Sequence, residues 1–194
     1  GKGFGYDGGP GATGQGASHG GVGSGNGTTY NVFEEPTIPG SGGGNSGNEP
    51  GGGALHLTVT GDGALQIDGT ITALNEDIGG NRHGSGGAIY LEGGSITGSG
   101  LIDVSGRTDV YDSAGGRIAI VLTDPANDFS AVGPDAASLN LRAYGGDGQG
   151  AGTVYLELAT DGDAGGTLIV DNSNAASTRE TGYSIGAASY TNLS

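Results

Sequence analysis

Three observations predict an all-β fold of stacked parallel strands in this 194-residue chain. First, a glycine pair, replaced once by Ala-Gly, runs four times into a short strand alternating apolar with polar or small residues. These read Gly52-Gly53-Ala54-Leu55-His56-Leu57, Gly86-Gly87-Ala88-Ile89-Tyr90-Leu91, Gly115-Gly116-Arg117-Ile118-Ala119-Ile120 and Ala151-Gly152-Thr153-Val154-Tyr155-Leu156. Second, the glycines that end each pair stand at 53, 87, 116 and 152, so the spacing is 34, 29 and 36 residues. One strand per unit at such a period is the pattern of a stacked repeat, because so short a unit cannot cover its own apolar face. Third, no segment repeats apolar residues at i, i+3, i+4 and i+7 over three turns, so almost no helix is expected.

Taken in order, residues 1–53 hold 21 of the 47 glycines and four of the six prolines. They read as a Gly-rich, loop-dominated part that packs on or extends the rod, with Phe4, Tyr6, Tyr30, Val32, Phe33 and Ile38 as anchors. Residues 54–172 carry the strands. Leu55, Leu57, Ile89, Leu91, Ile118, Ile120, Val154 and Leu156 are expected to form inward-facing rows, since period-2 alternation buries one face. A second, offset strand runs through each unit as Leu65–Ala73, Ile96–Val104 and Leu139–Ala143. Aligning Ala73, Val104 and Ala143 gives steps of 31 and 39 residues, and places Ile71, Ala73, Ile102, Val104, Leu141 and Ala143 on a second wall. Residues 173–194 form a C-terminal extension, whose weakly strand-like Tyr183–Leu193 offers a strand to an open edge of another copy.

Composition narrows the function. No cysteine is present, which removes disulfides, thiolate chemistry and cysteine zinc sites. No 18-residue apolar run predicts a membrane span. The chain opens on Gly1-Lys2-Gly3-Phe4-Gly5 without a signal-peptide pattern, and reads as a processed product or a piece of something longer. A net charge of −15 disfavours nucleic acid and anionic membranes, because phosphate binding needs clustered cations.

Few residues point to chemistry. Arg82-His83 beside Glu76-Asp77 is the one compact acid–base grouping, and it reads as a surface ion pair in a Gly-rich turn. Arg117, at the head of an apolar strand, is expected to point outward with its stem lying on a neighbour. His19 and His56 stand alone. Two acidic groups, Asp161 with Asp163 and Asp124 with Asp128, are the candidate calcium ligands. Neither fits a twelve-residue EF-hand loop, and each also suits a turn in which Asp accepts backbone N–H groups. No other cofactor is expected. Tyr90 and Tyr155 occupy equivalent places between inward aliphatics, with His56 and Ala119 at the same site in the other units. They should point outward, to stack on a glycan or pack against a loop or partner.

The run Gly84-Ser85-Gly86-Gly87-Ala88-Ile89-Tyr90-Leu91, then Gly98-Ser99-Gly100-Leu101-Ile102-Asp103-Val104-Ser105-Gly106, then Gly115-Gly116-Arg117-Ile118-Ala119-Ile120, resembles glycine-rich parallel β-helix modules. Such modules occur in very large secreted or surface proteins of bacteria, the adhesin-like kind. Gly150–Leu156 and Gly166–Asn172 fit the end of the module. The resemblance implies a right-handed parallel β-helix at the cell surface or outside the cell, and supplies no catalytic residues. The expected function is therefore a non-catalytic structural module of a filament, stalk or adhesin, stacked end to end on copies of itself or on adjoining repeats. The alternative, from another class, is a carbohydrate-active module that binds polysaccharide or cleaves it as a lyase.

Overall fold

The computed structural model describes residues 16–44, 50–75, 83–107, 112–162 and 165–182. These residues contain ten strands and no α-helix. The strands are β1 (Ala54–Thr58), β2 (Ala64–Gln66), β3 (Thr70–Thr72), β4 (Ala88–Gly93), β5 (Ser95–Thr97), β6 (Leu101–Asp103), β7 (Arg117–Leu122), β8 (Asn140–Arg142), β9 (Thr153–Glu157) and β10 (Thr167–Ile169). They make three sheets, ordered β1-β4-β7-β9-β10, β2-β5 and β3-β6-β8. Every pairing is parallel except β9 with β10. From β1 to β6 the chain visits the three sheets in turn twice; after β7 it passes over the two-stranded sheet to β8, and β9 and β10 both return to the five-stranded one.

The registers follow the sequence spacings. Leu55 pairs with Ile89, Ile89 with Ile118 and Ile118 with Val154. Ile71 pairs with Ile102 and Ile102 with Leu141. Inside, Ile89, Leu91, Ile102, Ile118 and Ile120 are fully buried in one cluster with Leu65, Ile96, Val104 and Leu139. Each such side chain contributes about 1.5–3 kcal/mol by leaving water.

The glycine pairs are where neighbouring backbones come closest. The N–H of Gly87 donates to the Ala73 carbonyl, that of Gly116 to Val104 and that of Gly152 to Ala143, at 2.8, 2.8 and 2.6 Å. A Cβ on Gly52, Gly86 or Gly115 would land on those same carbonyl oxygens. The fourth unit carries Ala151 at this place. There a Cβ is tolerated because no further parallel strand follows among the described residues: the free side of β9 is taken by the antiparallel β10.

Three expectations change. In the first two units the offset strand is two short strands in different sheets, and in the third it is β8 alone. Gly98, at φ 120°, turns the chain between β5 and β6, a conformation open to glycine without a Cβ clash. Leu55 and Leu57 hold the expected register, yet they are 36 % and 39 % exposed, because β1 is an edge strand with no described strand beyond it. Arg117 points away from the core as expected, but it is 1 % exposed rather than lying on the surface, since the N-terminal segment closes over it. The described part of that segment packs against the five-stranded sheet: Gly20 and Gly21 donate to the Gly115 carbonyl, and Ala17 to that of His83. The extension returns to the body too, where Thr181 bridges Gly21 and Ser177 bridges Gly148. Its strand-like stretch 183–194, with Phe4 and Tyr6, lies outside the described residues.

Candidate functional site

The outer face of the five-stranded sheet gathers most of the residues that could carry chemistry. Register places His56, Tyr90, Ala119 and Tyr155 in one row, and Thr58, Glu92, Val121 and Glu157 in the next. The Tyr90 hydroxyl donates to Glu92 Oε2 at 2.8 Å, and the Tyr155 hydroxyl to Glu157 Oε2 at 2.7 Å. The same Tyr155 oxygen accepts the N–H of Gly166 at 2.9 Å. Burial, with Glu92 and then the Glu35 and Glu157 carboxylates nearby, pushes the Tyr90 hydroxyl far above its ordinary range.

The row is covered by the chain itself. Phe33 sets its ring edge-on to Tyr155 at 5.4 Å and 63°, an arrangement favoured by the ring quadrupoles. Phe33, Tyr90, Ala119, Tyr155 and Leu168 form a second buried cluster on this face. His56, on the exposed first strand, lies against Tyr90 with ring centroids 4.4 Å apart and planes tilted by 40°. Tyr90 and Tyr155 therefore point outward as expected, and their rings are occupied by intrachain packing, with 7 % and 1 % of their surface left open.

Beside this cluster lies a polar clasp that the sequence did not reveal. Arg117 donates from Nε to the Tyr30 carbonyl (3.0 Å), from Nη1 to Thr153 Oγ1 (2.9 Å) and from Nη2 to the Gly182 carbonyl (2.9 Å). One guanidinium so ties the N-terminal segment, β9 and the C-terminal extension to β7. Burial lowers its pKa to about 10, against the opposing pull of Glu34 and Tyr30. Its row partners Ala88 and Thr153 are small, which leaves the long side chain room under the segment. That small–large–small row was the available signal. His19 is the second member of the clasp. Its Nδ1–H donates to the Gly86 carbonyl at 2.8 Å, its ring stacks on Tyr30 at 4.6 Å, and Asn31 Nδ2 donates to Nε2 at 3.4 Å. Complete burial drives its pKa down to about 3, so the ring is neutral.

The acidic candidates sit in turns. Asp124 accepts the N–H of Ala126 on Oδ1 and the amide of Asn127 on Oδ2; Asp128 accepts the N–H of Ser130; Asp161 accepts that of Leu158. The hydrogen bonds from Ser130 hold the Asp128 carboxyl below its usual range. Asp163 lies outside the described residues, as do Arg82, Glu76 and Asp77. No group of three or more His, Asp or Glu able to hold a metal occurs among the described residues, nor does any helix there long and apolar enough to cross a membrane.

Residues 80–133 match a family described as repeats of unknown function, DUF5649. The matched stretch takes in β4 through β7, one full circuit of the sheets and the start of the next. No curated protein and no solved structure matches the chain.

Proposed function

We propose that the chain is a segment of a right-handed parallel β-helix, serving as a non-catalytic structural module of an extracellular filament, stalk or adhesin. The reading rests above all on the recurrence of three strand positions in register, unit upon unit, with glycine columns where backbones touch. Within the chain that geometry supports stacking: β1, β4 and β7 each offer the next unit the same apolar rows and the same edge. The use of the outer aromatic face for intrachain packing agrees with a load-carrying module, because sugar-binding platforms keep their rings open. The match to a family of repeats agrees as well.

Two measurements test this reading. Antibodies against the chain should label intact, unpermeabilised cells of the organism that makes it; labelling only after permeabilisation would overturn the extracellular assignment. A panel of neutral and uronate-containing polysaccharides should be neither bound nor cleaved by the purified chain. Saturable binding or the appearance of unsaturated products would replace the structural reading by the carbohydrate-active one.

A further inference from the structure

The two ends of the five-stranded sheet differ. At one end β10 lies antiparallel on β9 and occupies its free side. At the other end all five residues of β1 are exposed, and no described strand pairs with its outer side. Natural edges are usually blunted by charge, proline or a bulge. Ala54-Leu55-His56-Leu57-Thr58 has none of these.

The hydrogen-bonding directions of β1 are fixed. Gly53 accepts from Ala88, and Val59 donates to Glu92. Backbone directions alternate along a strand, so residues 53, 55, 57 and 59 face β4. Ala54, His56 and Thr58 therefore send their N–H and C=O groups to the open side. The strand is also symmetric about its centre, with leucine on each side of His56.

From these two facts we infer that β1 is a dimerisation edge: two copies of this chain pair β1 to β1 antiparallel, about a two-fold axis through His56. In that register His56 faces its own counterpart and Ala54 faces Thr58 of the second copy, all at hydrogen-bonded positions. Leu55 meets Leu57 of the second copy at the non-hydrogen-bonded positions, where Cα atoms approach to about 4.5 Å and side chains are closest. Both leucines stay on the core side, so the contact extends the interior rows of each copy and covers the apolar surface that β1 leaves open. The interface is isologous and closes at two copies. A head-to-tail stack would instead need the free side of β9, which β10 holds. The net charge of −15 per copy opposes the contact over distance, so salt strengthens it by screening. The inference rests on the stacked-unit reading proposed above.

The absence of cysteine makes single-cysteine variants clean probes. His56→Cys brings two thiols onto Cα atoms about 5.5 Å apart across the axis, within disulfide reach. Two cysteines at position 54 stand roughly 14 Å apart, four residues of strand, and cannot join. Under mild oxidation His56→Cys should form a covalent dimer about tenfold or more faster than Ala54→Cys alone. An equimolar mixture of the Ala54→Cys and Thr58→Cys chains should cross-link as His56→Cys does. Light scattering of the unmodified chain should give a dimer and nothing larger, increasing with salt. His56→Pro, which removes an outward N–H and none of the bonds to β4, should be monomeric with an unchanged circular dichroism spectrum. A folded monomer at every concentration, particles growing beyond two copies, or equal rates for His56→Cys and Ala54→Cys would overturn the inference. A folded monomer would leave the structural reading standing; a spectrum without β-structure would remove the reading itself.

Discussion

Replacing Arg117 by Ala tests whether one side chain fastens the glycine-rich segment to the sheet. The guanidinium is 1 % exposed and makes three hydrogen bonds, two of them to backbone carbonyls of Tyr30 and Gly182 that belong to separate segments. Hydrogen bonds from a charged donor contribute about 1.5–3 kcal/mol each, and a buried acceptor left behind costs about 1–3 kcal/mol. Against this stands the desolvation of the cation, several kcal/mol, which the variant recovers. The balance is a loss of about 2–5 kcal/mol, since removal strands the Tyr30 and Gly182 carbonyls, each left acceptor costing about 1–3 kcal/mol. For a chain of this size each kcal/mol moves the melting temperature by about 2–4 °C, so the drop should be about 10 °C. Arg117→Lys should recover part of the loss, because a point ammonium cannot reproduce the planar fork. Thermal melting followed by circular dichroism reads the first effect. Limited proteolysis reads the second, as faster cleavage within residues 16–44. A melting temperature within about 2 °C of the parent, with cleavage of that segment unchanged, would refute the clasp.

Three further outcomes follow from the same contacts. His19 has a folded-state pKa near 3 against its ordinary 6.5, so above pH 6.5 its contribution is complete. As the pH falls below 6.5 the unfolded chain takes up a proton that the folded one refuses, and stability drops by up to about 1.4 kcal/mol per unit. Denaturation midpoints between pH 6.5 and 5, before most carboxylates titrate, should show this slope, and His19→Gln should flatten it; a parent protein with no slope contradicts the burial. Gly86→Ala places a Cβ on the Val104 carbonyl oxygen and 2.7 Å from the Gly116 nitrogen, whereas Gly53→Ala meets nothing within 4 Å. Urea titrations should show the first destabilised by several kcal/mol and the second neutral or stabilised by about 0.4–1 kcal/mol; equal effects would refute the packing of the glycine columns. Because Asp124, Asp128 and Asp161 are engaged in their own turns, melting temperatures in calcium and in EDTA should coincide, and a calcium-dependent rise would show ion linkage instead.

Much of the strand register was legible because backbone spacing governs it. Steps of 34, 29 and 36 residues between glycine pairs are the offsets that join Ala54 to Ala88, Ala88 to Arg117 and Arg117 to Thr153. The corner that splits the offset strand was hidden, since Asp68-Gly69 and Gly98-Ser99-Gly100 interrupt the alternation without breaking its phase. The clasp was hidden for a different reason. A strand-head arginine reads as a surface residue unless the segment above it is known, and that segment comes from residues 17–33, about ninety positions earlier in the chain. His19 looked isolated for the same reason, its partner being the Gly86 carbonyl. The outward placement of Tyr90 and Tyr155 followed from alternation alone, but their cover, Phe33 and Leu168, comes from non-repeating parts. Periodicity reports what repeats, and the candidate site is made by what does not.

Successive units stack in parallel, each strand of the five-stranded sheet from β1 to β9 lying beside its equivalent in the next unit. Cross-strand nuclear Overhauser contacts test it most directly, because parallel and antiparallel ladders bring different backbone protons together. A continuous series is expected, linking Leu55 to Ile89, Ile89 to Ile118 and Ile118 to Val154, with a second from Ile71 through Ile102 to Leu141. Contacts instead between strands adjacent in sequence, such as β1 with β2 or β4 with β5 in antiparallel hairpins, would contradict it.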